Sequence, residues 1–436
     1  MLNVDNVLPK TKMPLECANF KCNTPSEPGK ITQRSCAYYG ARWMLAPLTE
    51  AAHIVHGHIG CAFYGANVRG KSYKVFSTDL HEKEVIFGGL AKLEQTILEV
   101  NALCPKVPCI FVYVTCAPGL TGEDVFGLCN LMTEKLNKPV IAIDCPGFKG
   151  ASQSDGHKVA YENIFKFLVG KKSLPRKSAK PLVNIIGDYN INGESQVLIR
   201  LLAKIGIDVH CIFTGKADLE KIMTSAGVDL NLLICQSSGK LLAQKMKQKY
   251  KIPFIKANFF GLSKTCASLR KLAEYFELES KAEQVIAKEL KLAKEKAEPY
   301  LRKLRGKKAG LFFGAARMGM LINVLEQDMG MKVIFTGSQF GDFNTYADAW
   351  ENAKDGTYFV DDASEDQLEE LLLHLQPDVF MGGIKENFLA HKLKTGFVLF
   401  PQPKQCGVYV GFEGFPNFVK NVYNAVFGPV WRFEEL

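Results

Sequence analysis

The chain repeats one pattern of hydrophobic and polar positions: an apolar run, a glycine-bearing turn, an amphipathic stretch of helical period, and a second apolar run. Each apolar run has the length of a buried strand, and each amphipathic stretch is long enough to form a helix. The pattern occurs at residues 108–144, 182–213 and 309–336, and in a shorter form at 377–400. Strands that alternate with helices in this way predict parallel sheets with helices on both faces.

Two polar segments separate these repeats. Residues 171–181, KKSLPRKSAKP, have the composition of a linker, and a long charged helix is predicted to end near residue 305. A chain of 436 residues also exceeds what one hydrophobic core usually supports. We therefore predict an α/β protein with three Rossmann-like, doubly wound domains and mostly parallel sheets. The predicted divisions are an N-terminal arm and three α/β domains: residues 1–30, 31–175, 176–305 and 306–436.

The chain carries 54 basic and 45 acidic residues, which gives a formal net charge of +9. Much of the excess lies in residues 281–308, where Glu and Lys recur at helical spacing, so this segment is predicted to be an exposed helix. No stretch combines basic and aromatic residues as nucleic-acid-binding segments do, which argues against a nucleic-acid partner. A modest positive field instead suits an anionic cofactor.

The sequence also lacks the features of membrane and secreted proteins. No apolar run reaches the about 20 residues that a bilayer-spanning helix needs. The opening segment, MLNVDNVLPKTKMPLECANF, contains no apolar signal region. We therefore expect a cytoplasmic protein with no membrane partner.

Thirteen cysteines are many for a protein of the cytoplasm, where disulfides are rare. Burial or metal binding must therefore account for most of them. Cys17 and Cys22 stand in a polar N-terminal segment, where metal ligands and exposed thiols are both open alternatives. Five others lie in apolar or helical contexts and are predicted to be buried structural thiols: Cys104, Cys109, Cys129, Cys211 and Cys266.

Several residues with useful chemistry directly follow predicted strands. Cys116 follows FVYVT and Cys235 follows LNLLI, whereas Arg317 lies in the turn FFGAARMG and Lys385 follows DVFMGGI. In doubly wound sheets, ligands bind in the crevice at the carboxyl ends of the strands. A single cysteine at a strand end is usually packing, and Arg317 and Lys385 are equally compatible with surface charges at loop tips. The convergence of several such positions on a crevice favours a binding site.

Residues 52–65, AHIVHGHIGCAFYG, place Cys61 after a glycine-rich turn with three histidines. This stretch, with QRSCAYYGARW before it and VTCAPGLTGEDV after it, resembles the α-type subunits of the nitrogenase component 1 superfamily. The motifs PGFKGASQSDGHK, IIGDYNINGE, NFFGLSKTCASLRKLA and the closing GPVW continue the resemblance over nearly the whole chain after about residue 15. Within the superfamily, the chain most resembles the α-type subunits of scaffolds on which the iron–molybdenum cofactor is matured.

The resemblance implies an iron–sulfur cluster at the interface with a β-type partner, held on this chain by Cys36, Cys61 and Cys116. Iron–sulfur clusters bind cysteine thiolates, and three thiolates from one chain leave further ligands to the partner. The expected group is a 4Fe-4S or P-cluster-like cluster in a heterotetramer. The glycines beside Cys61 let the backbone approach such a group. Three nearby histidines are interpreted as helix and turn packing rather than as metal ligands: His53, His56 and His58.

The resemblance also implies a cavity for a large iron–sulfur precursor or an iron–molybdenum-type cofactor. Cys235 matches the position whose thiolate ligates one end of that group. An anionic cluster with an organic acid attached needs basic and amide donors. Residues of these types match positions that line the cavity: Arg69, Gln153, His157, Arg317 and Lys385.

One residue departs from the pattern of the catalytic subunits. Those subunits have a histidine that caps the other end of the cofactor, in a stretch like YHGYDGF, whereas residues 409–415 here read YVGFEGF and place Val410 at that position. An apolar side chain cannot ligate molybdenum, so the chain is not expected to be a dinitrogen-reducing subunit. Scaffold subunits also lack this histidine, since a scaffold must release its product. Conversely, SQSDGH retains Gln153 and His157, which are typical of catalytic subunits.

Three hypotheses follow from these features. The favoured one is an assembly scaffold with a β-type subunit, an Fe protein, and cofactor donor and acceptor proteins as partners. The alternative is the catalytic subunit of a nitrogenase-like reductase, for example of the methylthio-alkane reductase type, in which an Fe protein and ATP deliver electrons and His157 donates protons. The third is a sugar- or anion-binding protein with incidental cysteines. A neighbouring gene for a scaffold-type β subunit beside a complete nitrogenase set would favour the first.

Overall fold

The computed structural model describes residues 7–11, 35–149, 153–176, 179–216, 218–314, 317–339, 341, 343–400 and 406–428. The chain divides into two compact units. We call residues 34–189 and 208–255 the cysteine unit, and residues 1–33, 190–207 and 256–436 the C-terminal unit. Elements are numbered in chain order. Cys17 and Cys22 lie outside the described residues.

The first sheet of the cysteine unit has four strands: β2 (Ala52–His56), β5 (Phe76–Ser77), β6 (Ile110–Val114) and β7 (Val140–Asp144). Their order is β5-β2-β6-β7, and all three neighbouring pairs are parallel. Side chains of β6 alternate between two hydrophobic clusters, with Val112 in one and Phe111 and Tyr113 in the other. Both faces of the sheet are therefore buried, which explains why β6 is apolar at every position.

The second sheet of this unit also has four strands: β8 (Leu182–Asp188), β9 (Asp208–Thr214), β10 (Leu230–Leu233) and β11 (Phe254–Lys256). Their order is β11-β10-β8-β9, and β8 pairs in parallel with both β9 and β10. A small antiparallel ribbon joins β3 (Asn67–Val68) to β4 (Lys71–Ser72). The helices of the unit are α1 (Ala37–Leu45), α2 (Ile59–Ala66), α3 (Glu82–Phe87), α4 (Leu90–Leu103), α5 (Cys116–Thr121), α6 (Val125–Leu136), α7 (Gln153–Phe167), α9 (Leu219–Thr224) and α10 (Gln236–Tyr250).

The C-terminal unit contains a six-stranded sheet. Its strands are β1 (Val7–Pro9), β12 (Lys308–Phe312), β13 (Lys332–Ser338), β14 (Tyr358–Asp361), β15 (Val379–Gly382) and β16 (Gly396–Leu399). The order is β1-β14-β13-β12-β15-β16, and only the β1–β14 pair among them is antiparallel. Pro9 ends β1, and its missing N–H is tolerated because β1 is an edge strand.

The helices of the C-terminal unit include the long charged helix that the sequence predicts. This helix is α12, and it carries Pro299 within its span. The helices are α8 (Glu194–Ile205), α11 (Leu262–Phe276), α12 (Glu279–Leu304), α13 (Met318–Asn323), α14 (Phe343–Asn352), α15 (Glu365–Leu375), α16 (Glu386–Lys392) and α17 (Gly411–Phe427). Within the described part of the chain, no helix has both the length and the apolar character that crossing a membrane requires.

The predicted α/β fold with mostly parallel sheets is confirmed, and each predicted strand–helix–strand repeat is present. The domain boundaries at residues 175 and 305 stay a prediction. One smaller expectation was wrong. Cys109, Cys129, Cys211 and Cys266 are buried as predicted, but Cys104 is half-buried because it caps the end of α4, beside the exposed Leu103.

Candidate metal and cofactor sites

Three cysteines of the cysteine unit lie at the beginnings of helices. Cys36 is the N-cap of α1, Cys61 lies in the first turn of α2, and Cys116 is the first residue of α5. Helices α2 and α5 follow the neighbouring parallel strands β2 and β6, so both begin at the same edge of the first sheet.

Gly147 brings two of these cysteines together. Its backbone N–H donates a hydrogen bond to Cys116 Sγ over 3.2 Å. A Cβ atom at Gly147 would lie 3.2 Å from Cys36 Cβ and 3.3 Å from Cys116 Sγ, so any larger residue would narrow the space between them. Cys61 interacts with both: burial raises the pKa of its thiol, and the thiols of Cys116 and Cys36 add to the rise.

This donor set fits an iron–sulfur cluster better than a single metal ion. Within the described ranges, no group of three or more His, Cys, Asp or Glu side chains is arranged to hold one ion. In an iron–sulfur cluster each thiolate binds a different iron, so the ligands stand apart around the cluster. Cys116 is exposed and Cys36 and Cys61 are half-buried, so all three can be reached from the surface.

The helices that carry Cys61 and Cys116, and the helix beside them, expose large apolar side chains. Phe63 on α2 is 77% exposed, Leu120 on α5 is 73% exposed, and Phe87 at the end of α3 is 82% exposed. Helix α3 packs beside α5. Large exposed apolar patches of this kind are typical of a surface that a partner covers.

The three histidines near Cys61 each bond to a group of this unit, as the packing interpretation expects. His53 lies in β2, where its ring bonds to the Tyr113 hydroxyl over 2.9 Å. His56 is fully buried and bonds to Glu123 over 3.0 Å. His58 caps α2 by accepting a backbone hydrogen bond with its side chain.

Cys235 lies in the same unit, at the carboxyl end of the second sheet. It follows β10 and is the N-cap of α10, and its Sγ lies 3.4 Å from Ser237 Oγ. Gly187, near the end of the neighbouring strand β8, has a φ of +91°. A Cβ atom there would lie 2.6 Å from Cys235 Cβ, so only glycine permits this approach.

Tyr189 connects Cys235 to His157. Its hydroxyl bonds to Ser238 Oγ over 2.5 Å, and the Cys235 thiol adds to the burial-driven rise of its pKa. The Tyr189 ring lies 5.9 Å from the His157 ring. Gln153 Nε2 lies 3.3 Å from His157 Nε2. The structure therefore brings Cys235, His157 and Gln153 into one neighbourhood.

Burial, followed by the positive charge of Arg69, lowers the pKa of His157 to about 3. The imidazole is therefore neutral at neutral pH. Arg69 is itself buried and uses its donors within the unit: Nη1 bonds to Tyr189 O over 2.9 Å, and Nη2 bonds to Thr214 Oγ1 over 2.8 Å. The structure thus places Arg69 as a support behind Tyr189, with Nη1 and Nη2 engaged and Nε without a hydrogen-bond partner among the described residues.

Arg317 and Lys385 lie in the C-terminal unit. They follow the adjacent strands β12 and β15, where they are the N-caps of α13 and α16, so both stand at the carboxyl edge of the six-stranded sheet. The Arg317 guanidinium lies over the Phe400 ring, 5.2 Å from its centre. Val410 is the N-cap of α17 in this unit and pairs with Phe260 in an isolated bridge.

Sequence reasoning missed Tyr189, Gly147 and Arg42. Tyr189 and Gly147 carry a signal, because each stands just after a predicted strand, in GDYN and CPGF. Arg42 carries a different signal: it is a lone charge within the otherwise apolar helix AYYGARWML.

Comparison with known proteins identifies the family. The model of the family described as nitrogenase component 1 type oxidoreductase matches residues 36–427. A protein named nitrogenase iron-molybdenum cofactor biosynthesis protein NifE, from Methanococcus maripaludis, is 38% identical over 94% of this chain and 87% of its own length. A NifE protein from Clostridium pasteurianum is 37% identical over 95% and 92%. A nitrogenase molybdenum-iron protein alpha chain from Methanothermobacter marburgensis is 34% identical over 95% and 92%.

The fold agrees with this similarity. A solved structure described as nitrogenase Cp1 at pH 5 superposes with a TM-score of 0.89 and 31% sequence identity. The superposition covers 98% of this chain and 95% of the other.

Proposed function

The chain belongs to the nitrogenase component 1 family, and we propose that it is the α-type subunit of a NifEN-like scaffold. On this proposal it pairs with a β-type, NifN-like subunit in a heterotetramer, binds an iron–sulfur precursor, and supports its maturation to the iron–molybdenum cofactor. Val410 is the observation that carries the proposal, because an apolar N-cap stands where catalytic α-type subunits have a histidine ligand. A cofactor without a ligand at that end can be released.

The similarity to relatives supports the same conclusion. Proteins named NifE are 37% and 38% identical to this chain, whereas a nitrogenase alpha chain is 34% identical over a similar span. The difference in sequence identity is small, so the proposal depends more on Val410 than on these identities.

Cys36, Cys61 and Cys116 would hold an iron–sulfur cluster shared with the β-type subunit. Such a cluster transfers single electrons when it is bound. This chain contributes three thiolates and the N–H of Gly147, which donates to Cys116 Sγ. The exposed apolar side chains on α2, α3 and α5 would be covered by the β-type subunit.

Cys235 would bind the precursor, which is the cargo of the scaffold. Tyr189 and Ser238 fix the surroundings of this thiol through their 2.5 Å hydrogen bond. Arg317 and Lys385 would hold the organic acid of the cofactor through charge-assisted hydrogen bonds. Gln153 and His157 would line the cavity beside Cys235 as hydrogen-bonding groups.

The alternative is a nitrogenase-like reductase in which His157 donates protons. The retained pair of Gln153 and His157 favours it. The lowered pKa of His157 argues against it, since an effective general acid has a pKa near the working pH and this imidazole is neutral there.

The deciding experiment is cofactor transfer by the anaerobically purified complex with its β-type partner. We expect the loaded complex to donate a mature cluster to apo-nitrogenase and to show negligible reduction of small substrates with an Fe protein and ATP. We also expect Val410→His to slow transfer, because a histidine at this position adds a ligand, whereas Val410→Ile should transfer at the wild-type rate.

A reductase would behave in the opposite way. Sustained ATP-dependent turnover that collapses in His157→Ala, together with no transfer to apo-nitrogenase, would overturn the proposal. In a scaffold, His157→Ala should affect only loading or maturation.

A further inference from the structure

Arg42 is a fully buried cation in the middle of α1. Its Nε donates to Gly65 O over 3.0 Å, and its Nη1 donates to the Tyr113 hydroxyl over 3.4 Å. The guanidinium also lies over the Tyr113 ring, 5.2 Å from its centre. Each of these partners is neutral, so none of them balances the charge.

The charge has no carboxylate partner among the residues that the structure describes. None of the ion pairs found there involves Arg42, and Arg42 Nη2 has no hydrogen-bond partner. Arginine stays protonated in proteins, so it cannot escape this cost by losing a proton. A buried cation with an unused donor is strongly unfavourable unless a negative group stands near it.

Arg42 is connected to the segment around each of the three cluster cysteines, through its own helix and through its two hydrogen bonds. Arg42 and Cys36 share α1, Gly65 lies one turn beyond Cys61 in α2, and Tyr113 lies in β6, which leads into Cys116.

Tyr38 contacts both Cys61 and the Tyr113 ring on which the guanidinium lies. Its hydroxyl donates to Cys61 O over 2.8 Å, and its ring packs edge-on against Tyr113 at 5.9 Å between centres. The Arg42 guanidinium lies over that same Tyr113 ring, so Tyr38 links the surroundings of the cation to the backbone of Cys61.

We propose that Arg42 is the buried countercharge of the cluster held by Cys36, Cys61 and Cys116, and that it raises the reduction potential of that cluster. The inference rests on the proposed function, since it requires the cluster to be present. Three thiolates and an iron–sulfur core carry net negative charge, and each added electron makes that charge more negative. A fixed cation nearby stabilises the reduced state over the oxidised state.

The test compares neutral and charged replacements in the complex with the β-type partner. Arg42→Met removes the charge and keeps most of the volume, and Arg42→Gln removes the charge while keeping a donor for Gly65 O. Arg42→Lys keeps the charge. Arg176→Met is the control, because Arg176 is an exposed arginine of the same unit that pairs with Asp229. The readouts are iron per heterodimer, the midpoint potential from an electron paramagnetic resonance titration, and the melting temperature.

We expect both neutral variants to shift the midpoint potential to more negative values, and Arg42→Lys and Arg176→Met to stay near the wild type. If Arg42 has a purely structural role, Arg42→Met should lower the melting temperature and leave the midpoint potential of the remaining cluster unchanged. That result would overturn this inference and leave the proposed function standing. A wild-type complex that binds no cluster at the three cysteines would overturn both this inference and the proposed interface cluster.

Discussion

A cysteine binds iron as a thiolate, so the surroundings of each thiol decide whether it can act. Burial raises the pKa of Cys109 and of Cys129 to about 12, which keeps both protonated at neutral pH. Cys116, in contrast, is exposed, and its sulfur accepts a hydrogen bond from the N–H of Gly147. The buried thiols of Cys109 and Cys129 therefore serve packing, whereas the thiol of Cys116 can be reached by a ligand.

This difference predicts the effect of single cysteine replacements. Cys36→Ala, Cys61→Ala and Cys116→Ala should each lower the iron content of the complex and weaken binding of the β-type subunit, because the cluster bridges the two chains. Cys104→Ala is the matched control, since Cys104 is also a half-buried cysteine of this unit. Iron analysis and analytical ultracentrifugation would measure both effects. Full iron content and partner affinity in all three variants would remove these cysteines from the interface.

Among the elements, the junction between a parallel strand and the next helix recurs at every candidate site. Cys116 and Cys235 begin such helices in the cysteine unit, and Arg317 and Lys385 do so in the C-terminal unit. Parallel strands place these junctions at one edge of each sheet, which is where ligands bind in doubly wound folds. The position of Cys235 further depends on Gly187 in the adjacent strand.

Gly187→Ala should therefore disturb the Cys235 site. The positive φ of +91° costs an alanine about 1–2 kcal/mol, and the 2.6 Å contact with Cys235 Cβ must also be relieved by a shift of α10. We expect lower stability in urea unfolding and reduced precursor binding, because the Cys235 thiol would be displaced. Gly356→Ala is the control, because its φ is +88° but nothing lies within 4 Å of the added Cβ. Equal precursor loading in Gly187→Ala and Gly356→Ala would contradict the predicted role of the glycine.

The strand–helix junctions were predictable from sequence, whereas the contacts behind them were not. Apolar runs followed by turns gave the correct positions of Cys116 and Cys235, because hydrophobic period is a local property. Arg69 shows the limit: its donors bind Tyr189 and Thr214, which are 120 and 145 residues away in the chain. No local pattern encodes such pairings. The same holds for Arg42, whose partner Tyr113 is 71 residues away.

On the scale of the whole molecule, the free energy of unfolding should depend on pH, because burial keeps some histidines unprotonated in the folded chain. The Nε2 of His53 lies 3.1 Å from Leu48 O, a carbonyl that can only accept, so Nε2 carries the proton and Nδ1 accepts from the Tyr113 hydroxyl. Protonation of Nδ1 would set a second buried cation beside Arg42. Burial first, and then the charge of Arg42, lowers the pKa of His53 to about 3.

The pKa of His53 in the folded chain therefore lies below its value of about 6.5 in the unfolded chain. Between these two values the unfolded chain binds a proton that the folded chain does not, so the free energy of unfolding falls as the pH falls from about 6.5 toward about 3. One such histidine contributes a loss of about 2 kcal/mol by pH 5. His56 adds a loss of the same sign, because burial lowers its pKa against the opposing effect of Glu123.

Urea unfolding at pH 7 and pH 5 would test this linkage. The fluorescence of Trp43, which lies in the cysteine unit, would report the unfolding. Trp350→Phe and Trp431→Phe would remove the other two tryptophans. His53→Gln should be less stable than the wild type at pH 7, because the ring hydrogen bonds are lost, yet its loss between pH 7 and pH 5 should be smaller by about 2 kcal/mol. His374→Gln is the control, since His374 is exposed and belongs to the C-terminal unit. If the loss on acidification were the same in His53→Gln as in the wild type, proton exclusion at His53 would not be what sets the acid stability of this unit.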